Sequence, residues 1–128
     1  MLVFNDISLT DDYADNQADI EKLNVSRVYL YVEYTKGDEA SCELQVEFTH
    51  KDYDEGAEVW FVPSSVNETT GAVAIIPEWQ MTGAGKFRIP LLSISKEHKM
   101  RISAKATGGT PTGKLSLSFQ NSGMLSVY

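Results

Sequence analysis

The run SRVYLYVEYT, residues 26–35, decides the fold class. Val28, Leu30, Val32 and Tyr34 alternate with Arg27, Tyr29, Tyr31 and Glu33, and a period of two belongs to a strand, not to a helix. The second set is aromatic as well as charged, so that face is expected to be partly covered.

Reading outward, the pattern repeats. CELQVEFTH (42–50) follows the turn signal Lys36-Gly37-Asp38 and points Cys42, Leu44, Val46 and Phe48 one way, with Glu43, Gln45, Glu47 and Thr49 on the wet side. EVWFV (58–62) stops at Pro63, which has no N–H to give a sheet ladder. After the loop SSVNETTG, the β-branched run AVAII (72–76) reads as a strand. GAGKFRIPLLSI (83–94) puts Phe87, Ile89 and Leu91 on one face, and Pro90 suggests an edge or a bulge. KMRISAKA (99–106) turns Met100, Ile102, Ala104 and Ala106 inward, and GKLSLSF (113–119) does the same with Leu115, Leu117 and Phe119. Between those two, GGTPTG reads as a mobile hairpin loop.

Upstream, Leu2 to Leu9 offers a short further strand. Asp15 to Leu23 has helical spacing through Ala18, Ile20 and Leu23, enough for one or two turns. The expected fold is all-β, an antiparallel β-sandwich of jelly-roll or immunoglobulin-like kind with about seven or eight strands. Residues 1–25 are expected to form an extended N-terminal arm and acidic loop, and residues 26–128 a single β-sandwich domain.

Composition bounds the function. The chain has 128 residues and a net charge of −7, which disfavours a nucleic-acid groove. No apolar run approaches the roughly 18 residues of a membrane span, so neither nucleic acid nor membrane is an expected partner. The opening MLVFNDISLTDDYAD lacks the basic and apolar regions of a secretory leader. Charge is also polarised along the chain. Residues 1–60 hold fifteen acids and four bases, and residues 61–128 three acids and seven bases. Such a molecule can dock by its basic side onto an acidic partner or its own neighbour.

Reactive chemistry is sparse. Cys42 is the only cysteine, so an intrachain disulfide is impossible, and its alternation marks a small buried hydrophobe. His50 and His98 sit among charges, without the nucleophile elbow of a serine hydrolase or the spacing of a zinc site. The carboxylates Asp52, Asp54 and Glu58, and the group Asp11, Asp12, Asp15 and Asp19, are incomplete as calcium loops and read as solvated. A glycosidase pair could be sought among Glu78, Glu97 and the early acids, but paired acids are common in so acidic a chain. No catalytic residue, cofactor or metal is expected. Trp60, Trp79, Tyr53 and Tyr13 are the rival signal, because aromatic rings on a sandwich face can stack sugar rings. That would make a carbohydrate-binding module or a glycan-binding virion decoration.

Taken in order, VFNDISLT (3–10), VYLYVEYT (28–35), GKFRIP (85–90), and KMRISAKAT joined by GGTPTG to GKLSLSF resemble the jelly-roll capsid cement, or decoration, proteins of tailed bacteriophages. The resemblance implies a non-enzymatic virion protein on the capsid surface, assembled in the host cytoplasm. Its partners would be the major capsid protein and itself, as a trimer; a neck or tail component is the alternative within that class. The expected contacts lie at the two ends of the chain. Leu2, Val3, Phe4, Ile7 and Leu9 have little local reason to be buried, nor do Met124, Leu125, Val127 and Tyr128. Lys86, Arg88, Lys99, Arg101 and Lys105 are the expected docking cations on an acidic shell.

Overall fold

The computed structural model describes residues 2–23, 27–49, 60–62, 64–66, 69–75, 78–92 and 98–122. Among them are eleven strands and one 3-10 turn, Tyr13–Asp15. The strands are β1 (Leu2–Ser8), β2 (Gln17–Leu23), β3 (Arg27–Thr35), β4 (Ser41–Thr49), β5 (Trp60–Phe61), β6 (Ser64–Val66), β7 (Val73–Ile75), β8 (Glu78–Met81), β9 (Gly85–Leu92), β10 (His98–Thr107) and β11 (Lys114–Ser122).

They form two antiparallel sheets. One runs β1-β11-β3-β9-β6-β7; the other runs β2-β10-β4-β5, with β8 also on β4. The chain changes sheet at most connections, so that β11 returns between β1 and β3 while β10 returns between β2 and β4. That double return is the strand order of a jelly roll. The core lies where the inward sets meet. Val28, Leu30, Val32 and Tyr34 of β3 and Leu115, Leu117 and Phe119 of β11 belong to one cluster with Cys42, Leu44 and Val46 of β4 and Met100 and Ile102 of β10. Each aliphatic side chain so buried is worth about 1.5–3 kcal/mol.

The structure corrects the sequence reading in three places. Gln17–Leu23 is a strand, not a helical turn; five residues of β10, from His98 to Ser103, pair with it. Ala18, Ile20 and Leu23 fit a helix on spacing alone, and the long-range ladder decides. Next, residues 2–23 are no free arm: β1 lies on β11 and β2 on β10, so this segment contributes to both sheets. Two register shifts in β1 and a positive φ of 51° at Asp6 break its alternation, which is why the period of two is hard to see there. Finally, β10 and β11 lie in different sheets, so GGTPTG is a crossover between sheets and not a hairpin.

Candidate functional site

The outer faces of the two sheets are unlike. On the six-stranded sheet, β3 turns Tyr29, Tyr31 and Glu33 outward. The ladder sets Arg88 opposite Tyr31 and Lys86 opposite Glu33. Ser116 and Ser118 continue the row across β11. A groove of about 410 Å³ opens here, lined by Leu2, Tyr31, Glu33, Lys86, Arg88 and the two serines, with Val32, Phe87 and Leu117 beneath or beside them. Leu2 is 58% exposed and Tyr31 38%. The Arg88 guanidinium stands 5.0 Å from the Tyr29 ring centre, and the Lys86 ammonium is 3.5 Å from Glu33 with both groups well exposed. An ion pair that wet contributes little to stability and leaves the cation available to a partner.

On the five-stranded sheet, Arg101 and Lys105 are each held by an acid and a ring. Arg101 of β10 makes a two-pronged pair with Asp19 of β2, at 2.8 and 3.1 Å, and its guanidinium lies 4.1 Å over the Trp60 ring. The hydrogen bond from Arg101 holds the Asp19 carboxyl below the usual carboxylate range, against a smaller opposing effect of burial. Lys105 sits 4.0 Å from Glu43 and 4.5 Å over the Tyr13 ring. Trp79 packs against the core. The described rings that could have stacked sugars are therefore engaged one by one, by Arg101, by Lys105 and by the core.

The expected contact residues thus separate. Leu2, Lys86 and Arg88 come together at the groove. Arg101 and Lys105 are on the opposite outer face, bound to Asp19 and Glu43; Lys99 is on that face as well, across from Thr49. Phe4 and Leu9 are buried in the core, and Val3 and Ile7 pack against it, so these four are not the free apolar contacts expected of an arm. They are buried because β1 pairs with β11 from the far end of the chain, a partner that local sequence does not reveal. Met124, Leu125, Val127 and Tyr128 lie outside the described residues, as do His50, Asp52, Tyr53, Asp54, Glu58 and Glu97.

Of the remaining acids, Asp12 caps the 3-10 turn by accepting from the Ala14 N–H at 2.9 Å. Asp15 accepts from the Thr10 hydroxyl at 2.7 Å. Among the described residues no three His, Cys, Asp or Glu side chains gather to hold a metal ion. Cys42 is buried where its alternation puts it, and burial, aided by the charges of Glu39 and Glu43, pushes its thiol up to about 12, far from a nucleophile.

One residue escaped the sequence reading. Glu39 is fully buried, in the crossover between β3 and β4. Its carboxylate accepts from the Tyr34 hydroxyl at 2.6 Å and from the N–H groups of Gly37, Thr112 and Gly113 at 2.7, 2.9 and 2.8 Å. Burial opposes its charge, but the tyrosine and the three amides outweigh burial and hold the carboxyl at about 2. Through Thr112 and Gly113 the GGTPTG crossover is tied at its end to the β3–β4 connection. A side chain at Gly113 would collide with Glu39, so glycine is required there. The signal was present as an acid two residues beyond Gly37, but two of its four partners, Thr112 and Gly113, lie more than seventy residues away.

Fold and faces together define a jelly-roll sandwich with one outer face whose cations are held by acids and rings and one outer face that carries a groove and exposed cations. No protein-family model and no curated protein matches the chain. Among solved structures it is similar to YomS, a protein derived from the SPBc2 prophage, at a TM-score of 0.46 and 12% identity over 92% of this chain and 90% of that one. It is also similar to CorA, a surface-associated copper-binding protein of Methylomicrobium album BG8, at 0.42 and 10% over 91% and 99%. A third likeness, to xylanase 10C of Cellvibrio japonicus, has a TM-score of 0.34 and 15% identity, over 83% of this chain but 20% of that one. These are loose likenesses with little sequence in common, and they assign the chain to no family.

Proposed function

We propose that this protein is a non-enzymatic structural component of a virion, a capsid cement or decoration protein that binds the major capsid protein and stabilises the head shell as a trimer. The observation that carries the reading is the groove on the six-stranded sheet. Leu2 and Tyr31 offer apolar surface beside Lys86 and Arg88, the composition of a docking face for an acidic, partly apolar partner. The jelly-roll strand order supports it too, being the fold that the resemblance of VFNDISLT, VYLYVEYT and GKFRIP implies. Repetition over a shell lets a modest interface per copy add up to firm attachment.

The test is co-sedimentation with head shells assembled from the major capsid protein of the virion to which the chain is proposed to belong. Wild-type protein should pellet with shells at low salt, and Lys86→Glu with Arg88→Glu should weaken that binding by roughly tenfold or more. Unchanged binding by the double variant, or none by the wild type, would overturn the proposal. A saturable response to soluble glycans in place of shells would favour a sugar-binding role.

A further inference from the structure

The groove on the six-stranded sheet has an internal order. Leu2 of β1, Ser118 of β11, Tyr31 of β3 and Arg88 of β9 stand opposite one another in register and form a row across four strands. Ser116, Glu33 and Lys86 form a second row on the last three of those strands. Alternate residues of a strand share a face, so the two rows lie about 7 Å apart along the strand direction.

The rows also differ in height. Both positions on β11 are serines, and the Ser116 hydroxyl oxygen accepts the Asp6 N–H at 2.9 Å. Leu2 and Tyr31, both exposed, flank Ser118 from the neighbouring strands, two strand spacings or about 10 Å apart. The result is a trough that follows β11. Short side chains make its floor, Leu2 its apolar rim, and Lys86 and Arg88 stand beyond Tyr31 and Glu33 on the other side.

That width selects the shape of an occupant. An α-helix with its side chains is about 10–12 Å across and cannot settle between Leu2 and Tyr31, whereas a single extended chain can. An extended chain sends alternate side chains to opposite sides, and those on one side repeat about every 7 Å. This is the interval between Lys86 and Arg88 on β9. The side chain between two such residues points the other way, toward Leu2.

Resting on the docking reading above, we infer that the partner enters the groove as an extended segment along β11 with an acid–apolar–acid sequence. Its two carboxylates meet Lys86 and Arg88, and the apolar side chain between them meets Leu2. Glu33 sets the sharpest condition. Its carboxylate is 3.5 Å from the Lys86 ammonium, so Lys86 exchanges one carboxylate for another when the segment binds. Both groups are well exposed, which keeps that exchange cheap, but the charge left on Glu33 then repels the incoming acid.

The probe is an end-capped peptide, Gly-Ser-Glu-Leu-Glu-Ser-Gly, titrated into isotope-labelled protein while the amide signals of Leu2, Tyr31, Lys86 and Arg88 are followed by NMR. Its isomer Gly-Ser-Leu-Glu-Glu-Ser-Gly has the same charge and composition but sends its acids to opposite sides of an extended chain. The first peptide should shift those signals, and the isomer should bind about fivefold more weakly or worse. Glu33→Gln should tighten the first peptide by about threefold, and Leu2→Ser should weaken it by a similar factor. Equal binding of the two peptides, equal competition by inorganic phosphate, or shifts centred on β10 would overturn the inference. Shells that require Lys86 and Arg88 while the peptides bind alike would remove the segment and leave the docking face standing. Shells indifferent to both cations, with the peptide preference intact, would overturn the capsid reading and keep the segment for another partner.

Discussion

The two outer faces of this sandwich are built from similar residues and end in opposite states. Each carries cations at alternate positions of one strand, Lys86 and Arg88 on β9 against Arg101 and Lys105 on β10, and each has aromatic rings nearby. On the five-stranded sheet Arg101 and Lys105 each meet an acid on an adjacent strand, Asp19 or Glu43, and a ring, Trp60 or Tyr13 of the 3-10 turn. On the six-stranded sheet, Lys86 has one wet ion pair, and Leu2 and Tyr31 stand in solvent around a groove. A cation on a sheet is thus no marker of a docking face by itself; what distinguishes the faces is exposure, the Lys86–Glu33 pair standing well out in solvent while the Arg101–Asp19 and Lys105–Glu43 pairs are largely covered.

The harshest way to probe the comparison is to remove what both faces share. Glu39→Ala would leave a buried tyrosine hydroxyl and three amides without their acceptor, so both sheets should loosen together, with a loss of roughly 3 kcal/mol or more in urea unfolding. The wild-type contribution of this group has a definite pH window. Its folded value is depressed, so its stabilisation is complete above the ordinary glutamate range and is lost as the pH falls toward about 2. Glu39→Gln should flatten that part of the acid-unfolding curve.

The faces should then part. Arg101→Ala on the five-stranded sheet breaks the two-pronged pair with Asp19 and uncovers Trp60, and should destabilise the fold by about 1–3 kcal/mol. Lys86→Ala on the six-stranded sheet should change unfolding by no more than about 0.5 kcal/mol. Equal losses at the two positions would erase the distinction between them. Tyr31→Ser should be the mildest in stability, within the same limit, while weakening any docking at the groove.

Much of this was legible in the sequence, and what was not has a physical reason. β3, β4, β10 and β11 keep an unbroken period of two for nine or ten residues, and every inward side chain assigned to them from the pattern lies in the core. β6 and β8 have three and four residues, too few for a period to register. β1 hides behind its bulges, and β2 is a strand only because β10 pairs with it. Lys86 and Arg88 could be placed on one face from their spacing alone. That Leu2 joins them, and that Arg101 is taken by Asp19 across 82 residues of chain, follows from pairings that no local window contains.

Lysine reactivity is the most direct check on the six-stranded face. Shell-bound and free protein would be acetylated side by side, and modification at Lys86, Lys99 and Lys105 compared by mass spectrometry. The account predicts that Lys86 loses its reactivity on the shell while Lys99 and Lys105 keep theirs. Protection of Lys99 and Lys105 with Lys86 unchanged would place the contact on the five-stranded sheet and contradict it.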